Sequence, residues 1–373
     1  MNKNQLKIKV IVLAVCFVIF GGLLFVASTA DTGTEGRPEG LYFERGRVVE
    51  ILAVSDNPHF LYQTLAVELS TGEFAGMTIE VRNNLMDQTL REFGLGDRVM
   101  VSLSDFAFQV ASQDRSIVLV VAVAFFLILL SVIGGKRGIA SVVGLIFEIA
   151  TIIFILVPLT LAGHSPILMA ILTGALMVVV SITLLAGVGA KALSAILGCL
   201  SGMIIAALLA IVVSHFAFIN GFHTGQAGFL NAIAGNLSIS GIFISGVIIA
   251  SIGAISDSSI SIASAMEEVK ASNPDITTKE LAKAGFNVGR DVMGTMSNTL
   301  ILAFVGSSFG LVLINIARDV TLLYFLNTDG IGIEIIQGIA GSIGIILTVP
   351  ITTLIAAKLF SLATANKKTI SSE

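Results

Sequence analysis

Two segments place polar chemistry inside apolar surroundings: Gly253-Ala254-Ile255-Ser256-Asp257-Ser258-Ser259 and Gly294-Thr295-Met296-Ser297-Asn298-Thr299-Leu300. Each belongs to a hydrophobic run long enough to cross a bilayer. An ionisable side chain at membrane depth is costly to keep and marks a functional site by default. Asp257 shares a stripe with Gly246, Ala250, Gly253, Ser261, Ser264 and Glu268, at steps of three or four residues that fall on one side of a helix. Shorter stripes run through Ser141, Gly144, Glu148 and Thr151, and through Asp291, Gly294, Thr295 and Asn298. Small residues let a second backbone approach, so the spacing predicts that Asp257 faces protein or a water-filled cavity and not lipid.

Depth follows from the charges that mark the inner face. Glu148 lies 11 residues beyond Arg137, Asn298 lies 8 beyond Arg290 and Asp257 lies 10 before Glu267. At a rise of about 1.5 Å per residue these are roughly 16, 12 and 15 Å, near the middle of a hydrocarbon core about 30 Å thick. The predicted substrate or ion site is Asp257, Asn298 and Glu148 with Ser258, Ser261, Thr295 and Thr299, rimmed on the cytoplasmic side by Glu268, Arg290 and Asp291. Oxygen ligands and a titratable group replace the hydration that an ion loses at the midplane. Each residue also has a plain structural reading. Glu148 could be a protonated carboxyl bonded to Thr151 or a neighbouring helix, Asp257 an interhelical bond, and Asn298 and Thr299 interhelical contacts.

The elements that must position these residues are apolar helices. Of 373 residues 55% are hydrophobic and 12% charged, at a mean hydropathy of +0.96, whereas soluble domains run near a quarter charged. This composition gives an α-helical polytopic membrane protein. Runs of spanning length fall at about 10–29, 116–135, 139–162, 166–189, 192–216, 240–264, 293–317 and 332–357, which makes eight transmembrane helices. The first follows Lys3, Lys7 and Lys9 and is read as an uncleaved signal anchor. Pro158 and Pro350 are expected to kink their helices. Gly198-x-x-x-Gly202 and Gly306-x-x-x-Gly310 fit small-residue helix packing.

Basic residues set the orientation. Lys136, Arg137, Lys191, Lys270, Lys279, Lys283, Arg290, Lys358, Lys367 and Lys368 join the N-terminal lysines on one side, whereas the short opposite connections, His164-Ser165-Pro166, 217–239 and 318–331, hold one basic residue, Arg318. Both termini are therefore expected in the cytoplasm. Residues 31–114 then lie outside it. Their short alternating runs at 47–54, 63–69, 76–81 and 98–103, separated by turns, predict a small β-barrel of OB or SH3-like type inserted between helices one and two. The membrane domain is 116–361, with one long inner connection at 265–292. There Thr277-Thr278-Lys279-Glu280 reads as a capping box, stapled by Ile276 and Leu281, that starts a short helix running toward Arg290.

Other chemistries find no support in the residues. A net charge of −4 without a basic stripe argues against nucleic acid. Cys16 and Cys199 lie in apolar runs, and His59, His164, His215 and His223 match no ligand spacing, so no metal site is expected. No Walker, nucleophile-elbow or zinc-hydrolase motif occurs, so no cofactor and no enzyme are expected. An intramembrane aspartyl protease would need a partner for Asp257, and Asp291 is placed too near the cytoplasmic edge. Gly253 to Asp257, Ile262-Ala263-Ser264-Ala265, Lys279-Glu280-Leu281 and the run from Gly289 to Ala303 resemble the YibE/F-like family of bacterial multi-pass membrane proteins, over most of the chain from about residue 45. The resemblance implies the bacterial cytoplasmic membrane. The function that fits best is a secondary transporter taking a proton or cation and a small substrate. The alternative is a non-catalytic scaffold that docks a protein partner on its outer β-domain.

Overall fold

The structure, a computed structural model, describes residues 3–29, 42–55, 61–85, 91–104, 107–219, 230 and 237–370. The chain divides into two compact units, residues 36–132 and residues 1–35 with 133–373.

The first unit carries a closed five-stranded barrel. Its strands are β1 (Tyr42–Val54), β2 (Tyr62–Leu69), β3 (Thr78–Asn84), β4 (Arg98–Leu103) and β5 (Phe108–Gln113), in the order β1-β2-β3-β5-β4 with β4 returning to β1. All neighbours are antiparallel except β3 and β5. Alternation places Val48, Leu65, Val67, Val81, Val99 and Val101 inside. The sequence suggests four strands, and the fifth is a correction. Within β5 only Val110 reaches the core, so its sequence shows little alternation. Phe93 plugs the barrel, held where the buried Gln63 amide both donates to its carbonyl at 2.8 Å and accepts from its N–H at 3.0 Å.

The second unit is helical. Along the chain run α1 (Lys3–Thr29), α2 (Ser116–Thr151), a π-turn (Ile152–Leu156), α3 (Val157–Leu161), α4 (Pro166–Ala186), α5 (Ala190–Phe216), α6 (Ile239–Ser272), α7 (Thr278–Ser307), α8 (Phe309–Ala317), α9 (Leu322–Leu326) and α10 (Asp329–Ile370). The residues of α2 up to 132 belong with the barrel unit. Among the described residues six helical runs are long and apolar enough to cross a bilayer, and α7 with α8, bent by 58°, pass that test as a pair. The sequence count of eight differs because 116–135 and 139–162 fall in one run, Ser116–Leu161, broken at Gly135, whose φ of 54° and ψ of −133° are not helical. Only glycine adopts such angles cheaply.

Two further expectations change, and Pro158 adds a detail. The helix opened by Thr277 is not short but continues unbroken to Ser307. A Cβ at Gly306 or Gly310 would meet nothing within 4 Å among the described residues, so they do not pack a helix there, and the chain bends between them at Ser308. Pro158 is accommodated by the π-turn just before it, which rearranges the hydrogen bonds that a proline ring disrupts.

Close approach instead concentrates on α5 and α10. A Cβ at Gly198 would lie 1.8 Å from Thr352 Oγ1. At Gly202 it would lie 1.8 Å from Thr348 Oγ1, 2.9 Å from Ile255 Cγ2 and 3.0 Å from the Gly344 carbonyl. Helix α6 joins the same junction through Ile255, which is fully buried. Helix α1 packs on α4, where the Lys9 ammonium donates to the Leu184 carbonyl at 3.2 Å, and its Phe17 and Phe20 meet Phe147 of α2.

Gly202→Ala should destabilise the protein by about 1–3 kcal/mol, because the Gly344 backbone cannot yield as a side chain can. Thermal unfolding in detergent measures it, and an unchanged midpoint would refute the junction. At the start of α7 the Thr277 hydroxyl accepts from the Glu280 N–H at 3.3 Å, and Glu280 Oε2 accepts from the Thr277 N–H at 3.1 Å. Thr277→Ala should cost about 1 kcal/mol. The Thr277 hydroxyl and N–H hold the Glu280 carboxyl below its ordinary 4.5. A lowered folded value stabilises above the unfolded pKa and is lost as pH falls through the folded one. Amide protection factors at 278–284, taken relative to the intrinsic exchange rate at each pH, should therefore be constant from neutral pH down to the ordinary glutamate range and fall only in stronger acid.

Candidate functional site

Asp257 lies two residues beyond Ile255, about 200° further around the helix. Ile255 faces the α5–α10 junction, so Asp257 is turned away from it. It emerges into two cavities. The first, of about 390 Å³, has walls from α2 (Ser141, Gly144, Glu148), α4 (Ser181) and α6 (Gly253, Ser256, Asp257). The second, of about 680 Å³, is lined by Arg137, Lys191, Ser261, Ser264, Glu267 and Glu268 besides Asp257. Asp257 and Leu185 are the two residues that line both.

The α6 stripe predicted from spacing therefore borders open space. Gly246 and Gly253 have no atom within 4 Å of a Cβ position. Their small size makes room for a cavity and not for another backbone. Ala250, Gly253 and Asp257 face the first cavity, and Asp257, Ser261, Ser264 and Glu268 the second.

Glu148 and Asp257 line the same cavity, and among the described residues no basic residue lines it with them. The Ser181 hydroxyl donates to Glu148 Oε1. That bond stands out against the other hydroxyls of the helices. Thr151, Thr173, Ser251, Ser258 and Ser259 each donate to a carbonyl in the preceding turn of their own helix, which satisfies a hydroxyl in apolar surroundings locally. Ser181 reaches across to another element. Gly144 leaves the space for this, since a Cβ there would stand 3.2 Å from Ser181 Oγ. At the second cavity Lys191 and Glu267 form an ion pair at 3.3 Å between α5 and α6. Sequence reasoning names neither Ser181 nor this pair. Ser181 is one hydroxyl among many, and the pairing of residues 33 and 76 positions apart carries no local signal.

The remaining predicted residues fall elsewhere. Thr295, Asn298 and Thr299 lie on the exposed face of α7 and line neither cavity. The hydroxyls of Thr295 and Thr299 donate to the carbonyls of Asp291 and Thr295. Met296 is the α7 residue that reaches the second cavity. Ser258 is buried toward the bundle interior. Of the expected rim, Glu268 lines the second cavity, whereas Arg290 and Asp291 are exposed on α7. His59 and His223 lie outside the described residues. His164 turns back on the Leu159 carbonyl and His215 sits in the last turn of α5 beside Phe216. Among the described residues no group of three or more His, Cys, Asp or Glu could hold a metal ion.

A family model described as YibE/F-like protein matches residues 122–362. The match takes in both cavities and begins beyond the last barrel strand, so it is shorter than the resemblance read from about residue 45. No curated protein and no solved structure matches the chain.

Proposed function

The chain belongs to the YibE/F-like family, and on that premise we propose that it is a secondary transporter whose coupling centre is Asp257. Family membership and the apolar helices fit a membrane protein. The proposal adds the bacterial cytoplasmic membrane, eight spans counted with Gly135 as a break between two of them, and both termini inside. Single cysteines introduced at Thr71 and Thr278, in a background lacking Cys16 and Cys199, test the orientation. An impermeant maleimide should label the first and not the second in intact cells, and equal labelling would overturn it.

One observation carries the transport reading: Asp257 stands where two cavities meet. A carboxylate reached from both can exchange a bound cation or proton with either. The first cavity offers two carboxylates and three serine hydroxyls without a basic side chain, so it suits a cation and disfavours an anion. Oxygen-rich surroundings of this kind suit a proton or a hard cation. The Lys191–Glu267 pair, with Arg137 nearby on the same cavity, supplies charges at the other end of the path. Asp291 lines neither cavity, which speaks against a pair of aspartates poised for peptide hydrolysis.

Reconstituted liposomes holding a pH-sensitive dye test the proposal in a screen of inorganic cations and small solutes, with and without a pH gradient. Asp257→Asn keeps size and hydrogen bonding but removes titration, and should abolish gradient-driven flux at normal protein levels. Glu148→Gln should weaken uptake while leaving its gradient dependence. Wild-type flux in Asp257→Asn would sink the coupling role and favour the scaffold reading, in which the barrel docks a partner.

A further inference from the structure

A third cavity, of about 370 Å³, lies between α7, α8, α9 and α10. The bend at Ser308 opens it by turning α8 away from the line of α7. Its walls are Ile301, Phe304, Val305, Phe325 and Ile335 among other apolar side chains, with two polar side chains, Ser308 and Glu334. The Ser308 hydroxyl is committed to the Phe304 carbonyl at 2.8 Å. Glu334 Oε2 is buried and has no hydrogen-bond partner among the described residues. Among the described residues no basic side chain lines the cavity. A carboxylate oxygen buried in apolar surroundings without a partner is expensive to keep.

We propose that this cavity binds a lipophilic organic cation, an ammonium group carried on a compact hydrocarbon body. The carboxylate supplies the single charge the ammonium needs, and Phe304 and Phe325 offer ring faces that attract it further. The apolar walls accept the hydrocarbon. A hard metal ion is disfavoured, because it takes about six oxygen ligands and the cavity has one carboxylate and one committed hydroxyl. Neither Asp257 nor Glu148 lines this cavity, so the inference does not rest on the transport reading.

The chain contains no tryptophan, so Phe325→Trp in the full-length protein provides a single fluorescent reporter on the cavity wall. The probe is benzyltrimethylammonium, compared with its uncharged isostere neopentylbenzene. The cation should change the emission saturably, and Glu334→Gln should weaken it at least about tenfold while leaving the isostere unchanged. Gly338→Leu should abolish both responses by filling the space, since a Cβ at Gly338 meets only Ile301 at 3.7 Å and Phe304 at 3.9 Å. If Glu334→Gln does not assemble, Glu334→Asp replaces it and should weaken the cation alone. The absence of a saturable response, equal affinity for cation and isostere, or equal weakening of both by the Glu334 variant would overturn the proposal. Equal affinity would identify an apolar groove filled by lipid chains.

Discussion

The contact among Gly202, Gly344 and Ile255 fixes the helical unit. Each glycine leaves room for the other's carbonyl at 3.0 Å from the Cβ it lacks, and Ile255 fills the remaining space from α6. Three helices thus meet with almost no side chain between two of them. Hydrophobic burial does little to select such a geometry inside a bilayer, because lipid tails are as apolar as isoleucine. Dispersion contacts at short range select it instead. The orientation of α6 follows: once Ile255 is locked inward, Asp257 must face outward from the junction, and the stripe above and below it must line whatever space α2 and α4 leave.

That space carries two carboxylates, which makes its energetics unusual for apolar helices. Glu148 is half-buried and receives the Ser181 hydroxyl, so part of its lost hydration is replaced by a fixed donor. Asp257 remains exposed to its cavities, and among the described residues no side chain is seen paired with it. A buried charge left without a partner costs more than a pair replaced by apolar groups, so the Ser181 donor and the space that Gly144 leaves for it both favour Glu148. The two carboxyls therefore differ: Glu148 receives a hydroxyl from the protein, whereas Asp257 borders both cavities.

Much of the fold was legible from local chemistry. The long apolar runs, the capping box of Thr277 with Glu280 and the alternation of β2 and β4 each express their physics within a few residues. What was illegible depends on distant partners. Strand β5 has only Val110 in the core, and it exists because β3 and β4 need a neighbour to close the barrel. Gly198-x-x-x-Gly202 and Gly306-x-x-x-Gly310 share one pattern with opposite outcomes. The first pair meets Thr352 and Thr348 across a helix contact, whereas the second meets nothing and flanks a bend. Small residues permit both close packing and loss of helical order, and the sequence does not say which partner is present.

The candidate residues of α6 border the cavities and Thr295, Asn298 and Thr299 of α7 do not, and the reason is a matter of phase. Glycines 285 and 289 press against Met266 and Val349, which sets the inward face of α7, and Leu281 and Leu300 are buried on the same side. Residues 281, 285, 289 and 293 advance by one near-complete turn each. Asn298 is nine residues beyond Gly289, and at about 100° per residue that is half a turn away. A polar cluster marks where chemistry is affordable only after the buried face has been located. On α6 the apolar residues Ile248, Ile252, Ile255 and Ile262 locate it directly. On α7 the inward face is made partly of glycine, so the usual apolar stripe is faint, and the polar residues Thr295, Asn298 and Thr299 lie on the exposed face.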